Sequence, residues 1–96
     1  MALMHIRVKY HNMLRRRTGV EQETLDVPSG SSLQVPLEHI AQRYGPSLRE
    51  MLFAPDGTVA THLVIFHNGQ LARHDPLAVH LAEGDELLLF PSISGG

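Results

Sequence analysis

The two segments that read most clearly as strands lie near opposite ends of the chain. Met4-His5-Ile6-Arg7-Val8-Lys9-Tyr10 alternates strictly. Met4, Ile6, Val8 and Tyr10 face one way and His5, Arg7 and Lys9 the other, the period of a half-buried strand. Close to the other terminus, Glu86-Leu87-Leu88-Leu89-Phe90 is an apolar run closed by Pro91; an apolar run without alternation suits a central strand covered on both faces. With 96 residues there is room for one domain. The last strand has only the first as a long partner, so we expect the two to run parallel and side by side.

Between them the pattern changes twice. Arg15-Arg16-Arg17-Thr18-Gly19 reads as a polar turn, and Glu23-Thr24-Leu25-Asp26-Val27 as a second strand ending at Pro28, so strands one and two form a hairpin with a long connection. Leu33, Leu37, Ile40, Ala41 and Tyr44 then fall on one helical stripe. Ser31 or Ser32 is the expected N-cap, Pro36 sits in or just before the first turn, and Gly45-Pro46 stops the helix. Leu48 to Phe53 reads as a short second helical turn. Leu63-Val64-Ile65-Phe66 is a strand, and Asn68-Gly69 is a strong hairpin signal leading into Gln70-Leu71-Ala72-Arg73. The expected fold class is α+β: a roll with a mixed sheet of four to five strands and one main helix across one face.

Composition removes several function classes. Eight Lys+Arg against ten Asp+Glu leave a formal charge of −2, unlike a sequence-independent nucleic-acid binder, which is strongly basic. With no cysteine, disulfides, cysteine nucleophiles and thiolate metal sites are excluded. No apolar run approaches the ~20 residues that span a bilayer. Met1-Ala2-Leu3-Met4-His5 does not read as a signal peptide, so no membrane partner and a cytoplasmic location are expected. The seven histidines, His5, His11, His39, His62, His67, His74 and His80, lack metal-ligand spacing, and no metal site is expected. There is no glycine-flanked elbow serine and no phosphate-cradling glycine loop.

The sequence ends Pro91-Ser92-Ile93-Ser94-Gly95-Gly96. Residues 1–91 are expected to form the folded body and 92–96 a flexible tail, because glycine loses the most entropy when it is fixed. Without Cβ atoms such a tail threads a channel that side chains would block, and its tip carries an α-carboxylate ionised at neutral pH. A carboxylate becomes an acyl donor once it attacks the α-phosphate of ATP, giving an acyl-adenylate that a sulfur nucleophile can open.

Gly84-Asp85-Glu86-Leu87-Leu88-Leu89-Phe90-Pro91-Ser92-Ile93-Ser94-Gly95-Gly96 resembles the carboxy-terminal signature of the ThiS/MoaD-type ubiquitin-like sulfur carriers. Their members include the molybdopterin synthase small subunit, the thiamine-pathway carrier and carriers for cysteine or tRNA thiolation. Leu63 to Gly69 and Pro76 to Leu81 match the preceding segments, so the resemblance runs from Met4 to Gly96 and implies a β-grasp fold. It also implies a carrier that is itself not an enzyme. A ubiquitin-activating-type enzyme, holding ATP and magnesium, would adenylate Gly96. A persulfide donor would convert it to a thiocarboxylate, and a sulfur-accepting synthase such as the molybdopterin synthase large subunit would take the sulfur. No cofactor is bound by the carrier itself.

By the same resemblance, Gly96 carries the sulfur, Gly95 and Ser94 let the tail thread, and Phe90, Pro91 and Ile93 fix where the arm leaves the body and meets its partner. The stretch from Leu48 to Thr61 favours the molybdopterin or cysteine type. The competitors are a protein modifier joined through Gly96 to lysines, and a binding module with a passive tail. Glu83, Asp85 and Glu86, expected near the base of the tail, are either a polar turn or a docking patch for a basic rim. Arg15 to Arg17 read as solvated charge or as a phosphate patch. Phe66, Leu88 and Phe90 are either core or a partner-binding apolar face.

Overall fold

The computed structural model of the chain describes residues 2–92. Five strands form one mixed sheet: β1 (Leu3–Tyr10), β2 (Gln22–Pro28), β3 (Leu63–His67), β4 (Gln70–Leu71) and β5 (Glu86–Pro91), in the order β2-β1-β5-β3-β4. β1 and β5 are the parallel central pair, with Val8 opposite Leu87 and Tyr10 opposite Leu89. β2 runs antiparallel to β1, and β3 antiparallel to β5.

Register follows from burial. Met4 faces Val27 and Ile6 faces Leu25 across β1 and β2, while Ile65 faces Leu89 across β3 and β5. All six are buried on one side of the sheet, and a one-residue slip would turn them to solvent. Onto that side pack α2 (Gln34–Tyr44) and α3 (Pro46–Leu52). Leu33, at the head of α2, joins Leu37, Ile40, Leu48 and Leu52 in being sealed from solvent. Asn68 and Gly69 both take positive φ, as the expected two-residue hairpin turn requires, although β4 is only two residues long.

Three expectations need correction. The connection between β1 and β2 is no plain turn: α1 (Met13–Thr18) occupies it and ends at Gly19, whose N–H bonds to the Arg15 carbonyl. Only Leu14 of that helix is buried, which left no apolar stripe to read. β5 is covered on one face, not two. Leu87 and Leu89 are buried, whereas Leu88 and Phe90 are only half-buried on the open face. Neither serine caps α2, which begins after Leu33 without a side-chain cap. The Ser31 hydroxyl donates instead to the Pro28 carbonyl, and the Leu33 N–H to the Val79 carbonyl. The expected stop of the main helix at Gly45-Pro46 holds, and the expected second helical turn forms as α3, which begins two residues earlier, at Pro46.

Candidate functional site

The parallel pairing of β1 and β5 decides where the chain leaves the body. β5 runs from Glu86 to Pro91; Pro91 lies opposite Leu63, and the Ser92 N–H donates to the His62 carbonyl at 2.5 Å. The path is therefore fixed by backbone pairing as far as Ser92. Ile93, expected to meet the partner, and Ser94, Gly95 and Gly96, the expected threading and acyl-bearing residues, lie outside the described residues.

Three features surround this exit. On the open face of the sheet, Val64 lies opposite Phe90 and Phe66 opposite Leu88, which gathers four half-buried apolar side chains. The rings of Phe66 and Phe90 stack with centroids 6.2 Å apart and planes 8° from parallel, and His11 lies against Phe90 at 6.5 Å. Of the two readings left open for Phe66, Leu88 and Phe90, sealed core is excluded: they are half-buried, because the helices cover only the other face. Beside Pro91 opens a groove of about 870 Å³ lined by Arg49, Met51, Phe53, Ala54 and His62. The Arg49 guanidinium sits 5.1 Å from the centre of the Phe53 ring and forks onto Glu38 at 3.0 and 3.2 Å. The stretch from Leu48 to Thr61, which favours the molybdopterin or cysteine type by resemblance, walls this groove. Third, the His11 N–H bonds to the Leu89 carbonyl, which places α1 at this same end. Arg15, Arg16 and Arg17 occupy its last turn, where cations favour the helix dipole. Arg17 reaches the Ser47 hydroxyl and Arg15 stands 3.9 Å from Glu21.

Glu83, Asp85 and Glu86 are not near the base of the tail. They stand where β5 begins, a strand's length of ~17 Å from where it ends. Asp85 accepts hydrogen bonds from His67 Nε2 at 2.7 Å, Asn68 Nδ2 at 3.0 Å and the Ala82 N–H at 2.9 Å. The Asn68 side-chain carbonyl accepts from the Glu86 N–H at 2.8 Å. Partial burial pushes the Asp85 carboxyl up, but the bonds from His67, Asn68 and Ala82 outweigh it and hold the group below the usual carboxylate range. Asp85 thus ties the β3–β4 turn to the start of β5. Glu83 is exposed and engages His5, whose N–H it accepts at 3.0 Å and whose ring lies at 3.2 Å.

Sequence reading also missed a polar clasp on the helix side. Glu23 accepts from the Tyr10 hydroxyl at 2.5 Å and the Tyr44 hydroxyl at 2.8 Å, with Arg43 at 3.2 Å. Burial first, and then the hydrogen bond to Glu23 and its charge, push both phenols up. The partners are 13 and 21 residues from Glu23 in sequence, so no local signal marks them. Among the described residues no cluster of His, Asp or Glu is arranged to hold a metal ion, and no helix is long and apolar enough to cross a membrane.

A parallel first-and-last strand pair at the centre of a mixed sheet, with a helix packed across one face, is the ubiquitin-like β-grasp fold. The model of the ThiS family matches residues 8–96, and the chain belongs to that family, as a ThiS/MoaD-type ubiquitin-like carrier. Small archaeal modifier protein 1 of Haloferax volcanii is 41% identical over 51 residues, 53% of this chain. The match covers 55% of that protein, so the chain spans about half the length of this curated relative. The crystal structure of SAMP1 from Haloferax volcanii superposes with a TM-score of 0.82 at 29% identity, over 96% of this chain and 99% of that one. A putative molybdopterin converting factor, subunit 1, from Pyrococcus furiosus gives a TM-score of 0.74 over 94% and 99% of the two chains. At 24% identity that likeness concerns the fold.

Proposed function

We propose that the chain is a sulfur carrier whose Gly96 carboxylate is the reacting group. In the first step a carboxylate oxygen attacks the α-phosphorus of ATP, pyrophosphate leaves, and an acyl-adenylate forms on an activating enzyme that holds the ATP and magnesium. The terminal sulfur of a persulfide then attacks the acyl carbon and AMP leaves with the bonding pair. A thiol next attacks the inner sulfur of the acyl disulfide, which releases the thiocarboxylate and leaves the donor as a disulfide. The thiocarboxylate donates its sulfur to a synthase. Phe66, Phe90 and Pro91 supply the surface that docks these partners, and Ile93 is a further partner-binding residue. Glu83 and Asp85 form its far rim, reached only by a partner that covers β5 from end to end. Ser94 and Gly95 thread the channel.

The observation that carries this reading is the exit geometry. The backbone pairing of Ser92 with His62 releases the chain between the Phe66–Phe90 face and the Pro91 groove, and the family match runs on through Gly96. We further propose molybdopterin synthesis as the destination of the sulfur, with cysteine synthesis the alternative; the stretch from Leu48 to Thr61, which builds α3 and the groove wall, favours these two over the thiamine type.

The test is intact-mass analysis of the full chain incubated with an activating enzyme of this class, ATP, magnesium and a persulfide donor. A gain equal to sulfur minus oxygen at the C-terminal peptide is expected. It should be lost on deletion of Gly96 and transferred to precursor by a molybdopterin synthase large subunit. A second reading, attachment of Gly96 to lysines of other proteins, is favoured by the 41% identity to an archaeal modifier protein. Isopeptide-linked remnants in a cell digest would establish it; adenylation without any conjugate would confine the chain to sulfur transfer.

A further inference from the structure

The 96 residues hold seven arginines and a single lysine, Lys9. For a carrier that passes through an acyl-adenylate this ratio has a chemical consequence, because an amine is an acyl acceptor and a guanidinium, never deprotonated at physiological pH, is not. If Lys9 reacted, its neutral Nζ would attack the Gly96 acyl carbon. A C–N bond would form, the C–O bond to phosphate would break, AMP would leave with the electron pair, and the amine proton would pass to solvent. The product would be a dead-end ring or a chain of linked copies. Length does not prevent the ring. Lys9 lies opposite Leu88, three residues before Pro91, and residues 92–96 extend as far as ~17 Å.

The fold places this one side-chain amine unfavourably for attack. Lys9 lies on β1 between β2 and β5, and only 40% of its side chain is exposed. Its Nζ stands 3.5 Å from Glu86 Oε1, which also faces Arg7 at 3.7 Å. Lys9 shares the open sheet face with Leu88 and Phe90, so a partner seated on the apolar patch covers it at the moment the acyl group is activated. Exposed cations elsewhere, such as Arg16 and Arg73, are arginines.

We propose that the chain is a monovalent acyl donor: it gives its acyl group to partners and offers no side-chain amine at which a second copy or its own tail can be joined. The inference rests on the carrier reading only for the identity of the electrophile, and its test has two arms that separate the two. In the first, the folded chain is treated with N-acetoxysuccinimide beside N-acetyl-lysine amide, and Lys9 acylation is followed by peptide mapping. Lys9 should react more slowly than the model amine, and Glu86→Gln should speed it roughly two- to fivefold, the effect of losing one partly exposed ion pair. A Lys9 as fast as the model amine, or indifferent to Glu86→Gln, overturns the proposal whatever the protein carries.

In the second arm the chain is incubated with activating enzyme and ATP. Pyrophosphate release without linked copies is expected, and Arg73→Lys should introduce linkage at residue 73. A Gly96–Lys9 isopeptide in the unaltered protein overturns the proposal. Absence of pyrophosphate release sinks the carrier reading instead, and the first arm then decides this one.

Discussion

At the Glu86 end of β5, Asp85 accepts three hydrogen bonds, Asn68 closes the circuit to the Glu86 backbone, and Glu83 takes up His5. At the Pro91 end the chain is held by backbone pairing, with Pro91 opposite Leu63, the Ser92 N–H on the His62 carbonyl and the His11 N–H on the Leu89 carbonyl, among the Phe66–Phe90 stack, the groove and the arginines of α1. The first end is a fastening whose polar atoms are directed inward at one another. The second leaves apolar side chains half-covered, which costs solvation free energy in the free protein and is recovered only when something packs on them. A carrier needs both: a strand that cannot slide and an end at which a partner gains by docking.

The largest effect should come from setting the two faces of β5 against each other. Leu87 is sealed in the core, so Leu87→Ala should cost ~2–5 kcal/mol, which for a domain of this size lowers Tm by about 10 °C or more. Leu88→Ala, one residue on and on the open face, should cost under ~1 kcal/mol while weakening partner engagement. Thermal unfolding followed by circular dichroism, together with an adenylation assay, reads both. Equal melting temperatures for the two variants would mean that β5 has no distinct inner and outer face.

These neighbours also show where sequence reading succeeds and fails. The alternation of β1, the Asn68-Gly69 turn and the parallel placement of the last strand were legible because each is written in local spacing or forced by the shortage of partners. Four consecutive apolar residues in β5 hid the fact that one side of the strand is open, since an uncovered apolar face has the same letters as a covered one. α1 was illegible because six residues with one buried leucine carry no period. The Asp85 fastening and the Glu23 clasp join residues 13 to 21 apart, a distance at which the sequence offers only the residue types. The misplaced acidic cluster has the same cause: Glu83 to Glu86 are close to the tail in sequence, and six residues of extended strand carry them to the far end.

A middle-sized effect should follow from undoing the fastening. Asp85→Asn leaves the shape but takes away the charge that His67, Asn68 and the Ala82 N–H address, and should cost ~1–3 kcal/mol near neutral pH. Because the folded carboxyl lies below its ordinary value, its contribution is present above the unfolded pKa near 4 and lost as pH falls through the lower folded value. Urea unfolding of the unaltered protein between pH 7 and pH 2.5 should therefore show an acid limb that is shallower in Asp85→Asn. Parallel curves would remove Asp85 from the account of stability. Sulfur transfer at pH 7 should fall only slightly wherever the variant is folded, since the exit end is untouched and Asp85 stands at the far rim of the docking surface.

The smallest effect is expected at Glu83. Its carboxylate and the His5 ring are each about 60% exposed, so the pair contributes no more than ~1 kcal/mol, and less in salt. If partners seat on the Phe66–Phe90 face and the Pro91 groove, Glu83 is at most a rim charge, and rim charges act on encounter rather than on the seated complex. Glu83→Gln should then leave the dissociation rate of an activating enzyme unchanged and lower the association rate by less than about twofold at low ionic strength, with the difference gone at high salt. Stopped-flow association across a salt series measures this directly. A severalfold loss with a flattened salt dependence would move the centre of docking to the Glu86 end, and would make the acidic cluster the recognition surface and the apolar exit its periphery.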